Sequence, residues 1–247
     1  MRLGERVLRR FCAALLLLPS GLAAPAKSDD GSLTLLYYDR PPFHYLGLDQ
    51  KPTGSVVERT EKALTAAGLP FTWVLRPAKR VLTEVFEGRA NTCSPGWFRA
   101  PEREEKARFS DALMTERPLV GVVRQGLLGK TSSDARATFA AMGSILVRDH
   151  LTRGSYFGGL LEEQPPSHIQ RRTNVDIPSM LATVAAGHAD LAMMTEEEAV
   201  YFIPRAPSGL AIAHFTEPGP PEGRYLLCSK LTDPALIARF NAALKSP

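Results

Sequence analysis

From Leu33 onward the chain alternates between two hydrophobic periodicities. Leu33–Tyr38 is a short continuous apolar run, the pattern of a buried strand. Ser55–Ala67 then places Val56, Val57, Ala63, Leu64 and Ala67 at helical spacing, with Gly68 where a helix terminates. Phe71–Leu75 predicts a second strand. Ala78–Phe86 sets Val81, Leu82, Val85 and Phe86 on one helical face and stops at Gly88. Up to residue 100 the order is strand, helix, strand, helix, strand. That alternation predicts a mostly parallel sheet flanked by helices.

The pattern then restarts. Pro118–Arg124 and Ser144–Val147 predict strands, Gly154–Glu163 the start of a helix, and Ile177–Ala186 an amphipathic helix ended by Gly187. Leu191–Met194 is a strand, Glu196–Phe202 a short helix and Leu210–Phe215 a further strand. Glu217-Pro218-Gly219-Pro220-Pro221 is a stiff irregular crossover. Arg224–Ser229 returns as a strand and Asp233–Leu244 as a terminal helix. The architecture expected is α/β with two lobes. Residues 27–116 build the first lobe, 117–218 the second, and 219–247 return to the first. Two crossings, near Thr115–Arg117 and Glu217–Gly223, would make a hinge and a cleft, the usual place for a small ligand.

Residues ahead of Leu33 follow another rule. Met1–Arg10 carries four arginines and one glutamate, Phe11–Pro19 is an apolar run built on Leu15–Leu18, and Ser20–Ala26 is small and neutral. This is the order of a cleavable secretory signal, expected over residues 1–26, with the mature protein in the periplasm. The apolar stretch is shorter than the roughly 20 residues that span a bilayer. Ala24-Pro25-Ala26 and Leu22-Ala23-Ala24 both offer a cut site. Cys12 opens the apolar run and is badly placed for lipid attachment.

The leader changes how the charge is read. The whole chain has a formal charge of +4, but without the leader 26 basic side chains face 25 acidic ones, a net of +1. Nothing in that balance calls for nucleic acid or an anionic membrane. About 220 residues remain, enough for two lobes with real cores. Two of the three cysteines also remain, Cys93 and Cys228. An even pair in an oxidising compartment suggests a disulfide, and two buried free thiols are the alternative.

Catalytic patterns are missing from the sequence. There is no Gly-x-Ser-x-Gly and no His-Glu-x-x-His. The histidines at 44, 150, 168, 188 and 214 show no metal spacing, and Gly129-Lys130-Thr131 lacks the first glycine of a phosphate loop, Arg124 standing there instead. Glu196-Glu197-Glu198 reads as a solvated helix start. The chain is expected not to be an enzyme and to carry no metal or cofactor.

Several segments, in order, resemble the family 3 extracellular solute-binding proteins, the receptors of polar amino acid ABC importers. They are Pro41-Pro42-Phe43 followed by Gly54 and a helix, Gly88 before a strand, Pro101-Glu102-Arg103-Glu104 followed by Phe109-Ser110, Ala186-Gly187-His188-Ala189-Asp190, and Arg224–Lys230. The resemblance covers nearly the whole chain after the leader. Cys93-Ser94-Pro95-Gly96-Trp97-Phe98 marks a divergent branch. The resemblance implies the two-lobed periplasmic-binding-protein-like fold of type II, with two mostly parallel sheets, a hinge and a central cleft. It implies a monomer that closes on a small polar, carboxylate-bearing ligand and delivers it to a membrane permease of an ABC importer. A periplasmic sensor or partner-binding protein on the same fold is the alternative, and an enzyme on that fold a more distant one.

The same resemblance assigns residues. Arg103 matches the arginine that clamps the ligand carboxylate, for which a planar guanidinium offers parallel donors. Its other reading is a surface arginine paired with Glu102 or Glu104. Gly154-Ser155 matches a helix start whose backbone N–H groups favour an anion; Ser155 could equally cap the helix. The family's amino-group ligand, an aspartate, falls at Thr195. Glu196 then either takes over that role or the ligand has no ammonium group. Asp190 reads as structural, at a helix-to-strand turn. Tyr38 or Arg40 would fill the place of the stacking aromatic. Trp97 and Phe98 would either wall the cleft or pack under the hinge, and the Gly96 amide would donate. Cys93, at the end of one strand, and Cys228, in the returning strand of the same lobe, come within disulfide reach in this family's arrangement.

Overall fold

The computed structural model describes residues 31–148, 156–173, 175–216 and 222–245. The leader at 1–26, Ser155 and the crossover at 217–221 lie outside them. β1 (Leu33–Tyr37) leads through the short strands β2 (Tyr45–Leu46) and β3 (Pro52–Thr53) to α1 (Ser55–Ala66). Then come β4 (Phe71–Leu75), α2 (Ala78–Phe86), β5 (Thr92–Trp97), α3 (Pro101–Glu104) and β6 (Ala107–Thr115). β7 (Leu119–Arg124), α4 (Ala135–Ala141), β8 (Ile145–Arg148), α5 (Tyr156–Glu162) and β9 (Ile169–Arg172) follow. α6 (Ile177–Ala185), β10 (Leu191–Thr195), α7 (Glu196–Phe202), β11 (Leu210–His214), β12 (Gly223–Ser229) and α8 (Pro234–Leu244) complete the described chain.

The strands form two five-stranded sheets, in the orders β4-β1-β5-β12-β6 and β11-β7-β10-β8-β9. β2 and β3 pair with each other. In each large sheet four strands point the same way and one is reversed. β12 runs antiparallel to both β5 and β6, and β7 to both β10 and β11. The expected parallel character therefore holds except at these two strands. Each is the first strand after the chain passes from one sheet to the other. A chain that leaves a sheet at the carboxyl ends of its strands enters the next sheet from that same side, so its first strand must run away from the gap. The reversal thus puts the carboxyl ends of the parallel strands of both lobes toward one cleft, the usual ligand side of such sheets.

Alternation along the strands fills layers on both faces. In the first lobe Leu33 and Leu35 face α1 and α8, against Val56, Leu64 and Phe240. Leu36 and Leu227 face α2, against Val81 and Val85. In the second lobe Val123, Ile145, Val147, Leu191 and Met193 pack with Phe139 and Phe157. Their neighbours Val122, Leu146, Ala192 and Met194 pack with Met180, Leu181 and Val184 of α6. Consecutive apolar residues therefore serve opposite layers. Helix starts are fixed locally. Asp134, Asp176 and Asp233 accept backbone N–H bonds at the N-termini of α4, α6 and α8.

Two sequence features have direct structural causes. Gly54 sits at φ 113°, and a Cβ there would lie 2.5 Å from the carbonyl oxygens of both Pro42 and Phe43. Those carbonyls accept from Ser55 N (3.0 Å) and Val56 N (2.9 Å), satisfying orphan donors of α1. The Pro-Pro-Phe loop is thereby clamped to a helix start. Asp190 accepts from Arg124 Nη2 (2.9 Å) and Gly143 N (3.0 Å), while Arg124 Nη1 bonds the carbonyls of Val184 and Ala189. Asp190 is a structural residue at the turn between α6 and β10, as expected.

Cys93 and Cys228 form a disulfide. They stand opposite each other on the antiparallel pair β5 and β12. Cys93 lies near the start of β5, not at a strand end as the sequence reading had it. The bond ties residues 135 positions apart, so it fixes β12 to β5 in the folded protein and closes a long loop in the unfolded chain. Replacing both cysteines by serine is expected to cost about 2–4 kcal/mol in urea unfolding. Equal midpoints for the oxidised wild type and the double variant would refute it.

Candidate functional site

The cleft holds a cavity of about 690 Å³. The first lobe contributes Tyr38, Asp39 and Arg40 from the loop after β1, Gly96, Trp97 and Phe98 at the end of β5, Arg103 on α3 and Arg224 on β12. The second lobe contributes Arg148 at the end of β8, Val175 and Asp176 before α6, and Glu198 and Phe202 on α7. Four guanidiniums line this space.

Arg103 is braced without an ion-pair partner among the described residues. Its Nη1 donates to the Phe98 carbonyl (2.9 Å), and its guanidinium stands 5.3 Å from the Trp97 ring centroid. Neither Glu102 nor Glu104 pairs with it; Glu104 bonds Arg99 instead. Trp97 is fixed in turn by Nε1 donating to Ser94 Oγ (2.8 Å), with Tyr38 6.0 Å away ring to ring. Trp97 and Phe98 both line the cavity. Gly96, at φ 90°, presents its carbonyl to Arg224 Nη1 (2.7 Å). Arg224 also bonds Glu116, and its guanidinium lies 4.4 Å from the Phe98 ring centroid and 5.0 Å from that of Phe43.

Glu198 joins the lobes. It is fully buried, and its carboxylate accepts from Arg40 Nη2 (3.3 Å) of the first lobe, Arg148 Nη2 (2.6 Å) of the second, and Thr195 N (3.1 Å). Burial alone would raise its carboxyl. The charges of Arg40 and Arg148 and the bonds from Arg148 and Thr195 outweigh that and hold it at about 2. Arg40 lies 4.6 Å from the Phe43 ring centroid, so Arg40 and Arg224 flank one phenyl ring. The Nε atoms of Arg40, Arg148 and Arg224 are buried without a hydrogen-bond partner among the described residues.

Six of the residues picked from sequence line this cavity together: Tyr38, Arg40, Gly96, Trp97, Phe98 and Arg103. Two do not. Thr195 is buried, and its hydroxyl accepts from Glu198 N (3.2 Å) in a capping box at the start of α7. Glu196 lies outside the cavity lining and pairs with Arg117 (3.4 Å) and His214 (3.6 Å). The buried carboxylate that reaches the cleft is Glu198, two residues further on. The expectation of a solvated Glu196-Glu197-Glu198 start fails at that residue. Sequence reasoning also missed Arg148 and Arg224. The Thr195-x-x-Glu198 spacing is a capping-box signature and was the available signal for Glu198.

His44 lies beneath the site. Its Nδ1 is 2.6 Å from the Tyr38 carbonyl, so that nitrogen carries the hydrogen. Burial first, then the charges of Arg40 and Arg224, push it down to about 4, against the backbone hydrogen bond that raises it. The unfolded chain takes up this proton near pH 6.5 and the folded one only near 4. Stability from this group is full above pH 6.5 and declines as pH falls toward 4, by about 2 kcal/mol between pH 7 and 5. Urea unfolding at both pH values checks it. His44→Gln, which keeps a donor to Tyr38, is expected to lose that slope; an unchanged slope assigns it to other groups.

The profile of the bacterial extracellular solute-binding proteins, family 3, matches residues 34–246. The chain belongs to that family. No curated protein matches it in sequence. Among solved structures, an amino acid ABC transporter substrate-binding protein from Streptococcus pneumoniae bound to L-arginine superposes with a TM-score of 0.63. It is 20% identical, over 87% of this chain and 87% of that one. An ancestral amino acid-binding protein described as a precursor of cyclohexadienyl dehydratase gives 0.63 at 19% identity, over 87% and 88% of the two chains. A histidine kinase sensor domain similar to periplasmic binding proteins gives 0.62 at 18%, over 86% and 88%. At such identities these likenesses show the two-lobed fold alone. No helix among the described residues is long and apolar enough to cross a membrane.

Proposed function

We propose that this family 3 protein is a periplasmic receptor. It closes on a small carboxylate-bearing solute and presents it to the permease of an ABC importer. The observation that carries the reading is Arg103: a guanidinium lining the cleft, braced by the Phe98 carbonyl and Trp97, with no carboxylate of the described residues paired to it. A bidentate carboxylate completes such a group. Residues 1–26 are the leader in this proposal, 27–116 with 219–247 the first lobe, and 117–218 the second. Ligand selects the closed form because only there do both lobes touch it. The receptor works as a monomer.

The reading is non-catalytic. The buried carboxylate of the cleft, Glu198, is held too acidic by Arg40 and Arg148 to take up a proton near neutrality. Thermal unfolding with a panel of amino acids, small carboxylates and sugars tests the receptor. A ligand at 100 times its dissociation constant adds about 2.7 kcal/mol. A panel without any shift would sink the proposal. For the importer, the bound compound should lose uptake in cells that lack this protein.

A further inference from the structure

We infer that the cleft takes a small organic dianion without an ammonium group, a dicarboxylate in chemical class, held by Arg103 at one end and by Arg40 and Arg148 at the other. The inference rests on the receptor reading and narrows its ligand. The groups lining the cleft are not balanced in charge. Arg224 is 3% exposed and is matched by Glu116. Arg40 and Arg148 share a single carboxylate, Glu198. Arg103 has none among the described residues. Among the described residues, two positive charges are therefore left without a counter-charge. The remaining acidic groups of the lining, Asp39 and Asp176, are solvent-exposed at the rim, and Asp176 caps α6 through Ser179 N. Exposed charges are screened and compensate buried ones poorly.

The same geometry disfavours an ammonium deep in the cleft. A desolvated ammonium is matched best by a buried carboxylate that is not already committed to other cations. Glu198, the buried carboxylate of the lining, already takes Arg40 on one oxygen and Arg148 with Thr195 N on the other. An ammonium brought to it would meet two guanidiniums first. The buried Nε groups of Arg148 (7% exposed) and Arg224 have no acceptor among the described residues, a second sign that the site is short of negative oxygen. A ligand with an acidic group at each end supplies both missing charges. An added amino group brings a further cation, and the buried carboxylate of the lining is already shared by two guanidiniums.

Isothermal titration of the purified protein with succinate, glutarate, glutamate, glutamine, arginine and butyrate decides it. Succinate or glutarate is expected to bind at least tenfold tighter than glutamate, which adds only an ammonium, and than butyrate, which lacks one carboxylate. Arg40→Gln should weaken the dicarboxylate at least tenfold while weakening butyrate less than threefold. Circular dichroism and the thermal midpoint confirm that this variant is folded. Glutamate, glutamine or arginine binding as tightly as the dicarboxylates would overturn the inference and leave the receptor reading standing. Butyrate matching the dicarboxylates would overturn the two-ended clamp alone. Silence across these compounds, with a shift from a neutral solute in the wider panel, would overturn the dianion. Silence across both panels would overturn dianion and receptor together.

Discussion

Arg103→Ala is expected to weaken binding of the tightest carboxylate ligand by about 100-fold, roughly 3 kcal/mol, while shifting the unfolding of the empty protein by less than about 1 kcal/mol. The two effects separate because of how Arg103 is held. It is half-buried, makes one hydrogen bond to the Phe98 carbonyl and rests against Trp97. Losing these contacts is a surface-scale perturbation. Losing the guanidinium in the liganded state leaves a carboxylate desolvated in the cleft without its donors, which is far more costly. Arg103→Lys should recover only part of the affinity, since a point charge cannot offer two parallel donors. Titration calorimetry on the three proteins measures this directly. An alanine variant that binds within threefold of wild type would move the clamp elsewhere in the lining.

How much of this was legible before the structure depends on how local the cause is. The first-lobe alternation from Leu33 to Phe86 was readable because each element has an unbroken period. β6 was not. Its pairing with β12 shifts register twice, so the side chains of Ala107–Thr115 do not keep a period of two. β9 is an edge strand reading Ile169-Gln170-Arg171-Arg172, half-buried at best, and α4 buries only Phe139 among large side chains. Arg103, Trp97 and Arg40 were found because they sit in or beside segments with a recognisable order. Glu198 was missed because its burial is caused by arginines 158 and 50 residues away, which no local pattern displays. Arg148 and Arg224 did carry a signal. Each is a charge placed in an otherwise apolar strand, and such a residue is seldom buried without a partner or a task.

Glu198→Ala has the largest stability effect expected in the molecule, about 3–5 kcal/mol of destabilisation. The size follows from what remains behind. Arg40 and Arg148 would face each other across the cleft without a counter-charge, and Arg148 is too deeply buried to be hydrated in place. The variant also breaks the capping box of α7, freeing Thr195 N. Glu198→Gln keeps an acceptor and the shape but not the charge, so it should fall between wild type and alanine. Acid unfolding distinguishes the electrostatic cause from simple loss of packing. The folded carboxyl titrates at about 2 and the unfolded one near 4.5, so the unfolded chain binds this proton first as the pH falls. The stability it gives is complete above pH 4.5 and drains away between 4.5 and 2, a window below that of His44. Wild type should therefore lose stability steeply in that lower window, and both Glu198 variants should lose much less there. Parallel acid limbs in all three proteins would mean that Glu198 holds the lobes by shape, not by charge. If the limbs diverge as expected, the carboxylate between Arg40 of the first lobe and Arg148 of the second contributes charge as well as shape to the contact between the lobes. A dianion would then add its charge beside Glu198, the single carboxylate among the described residues that those two guanidiniums share.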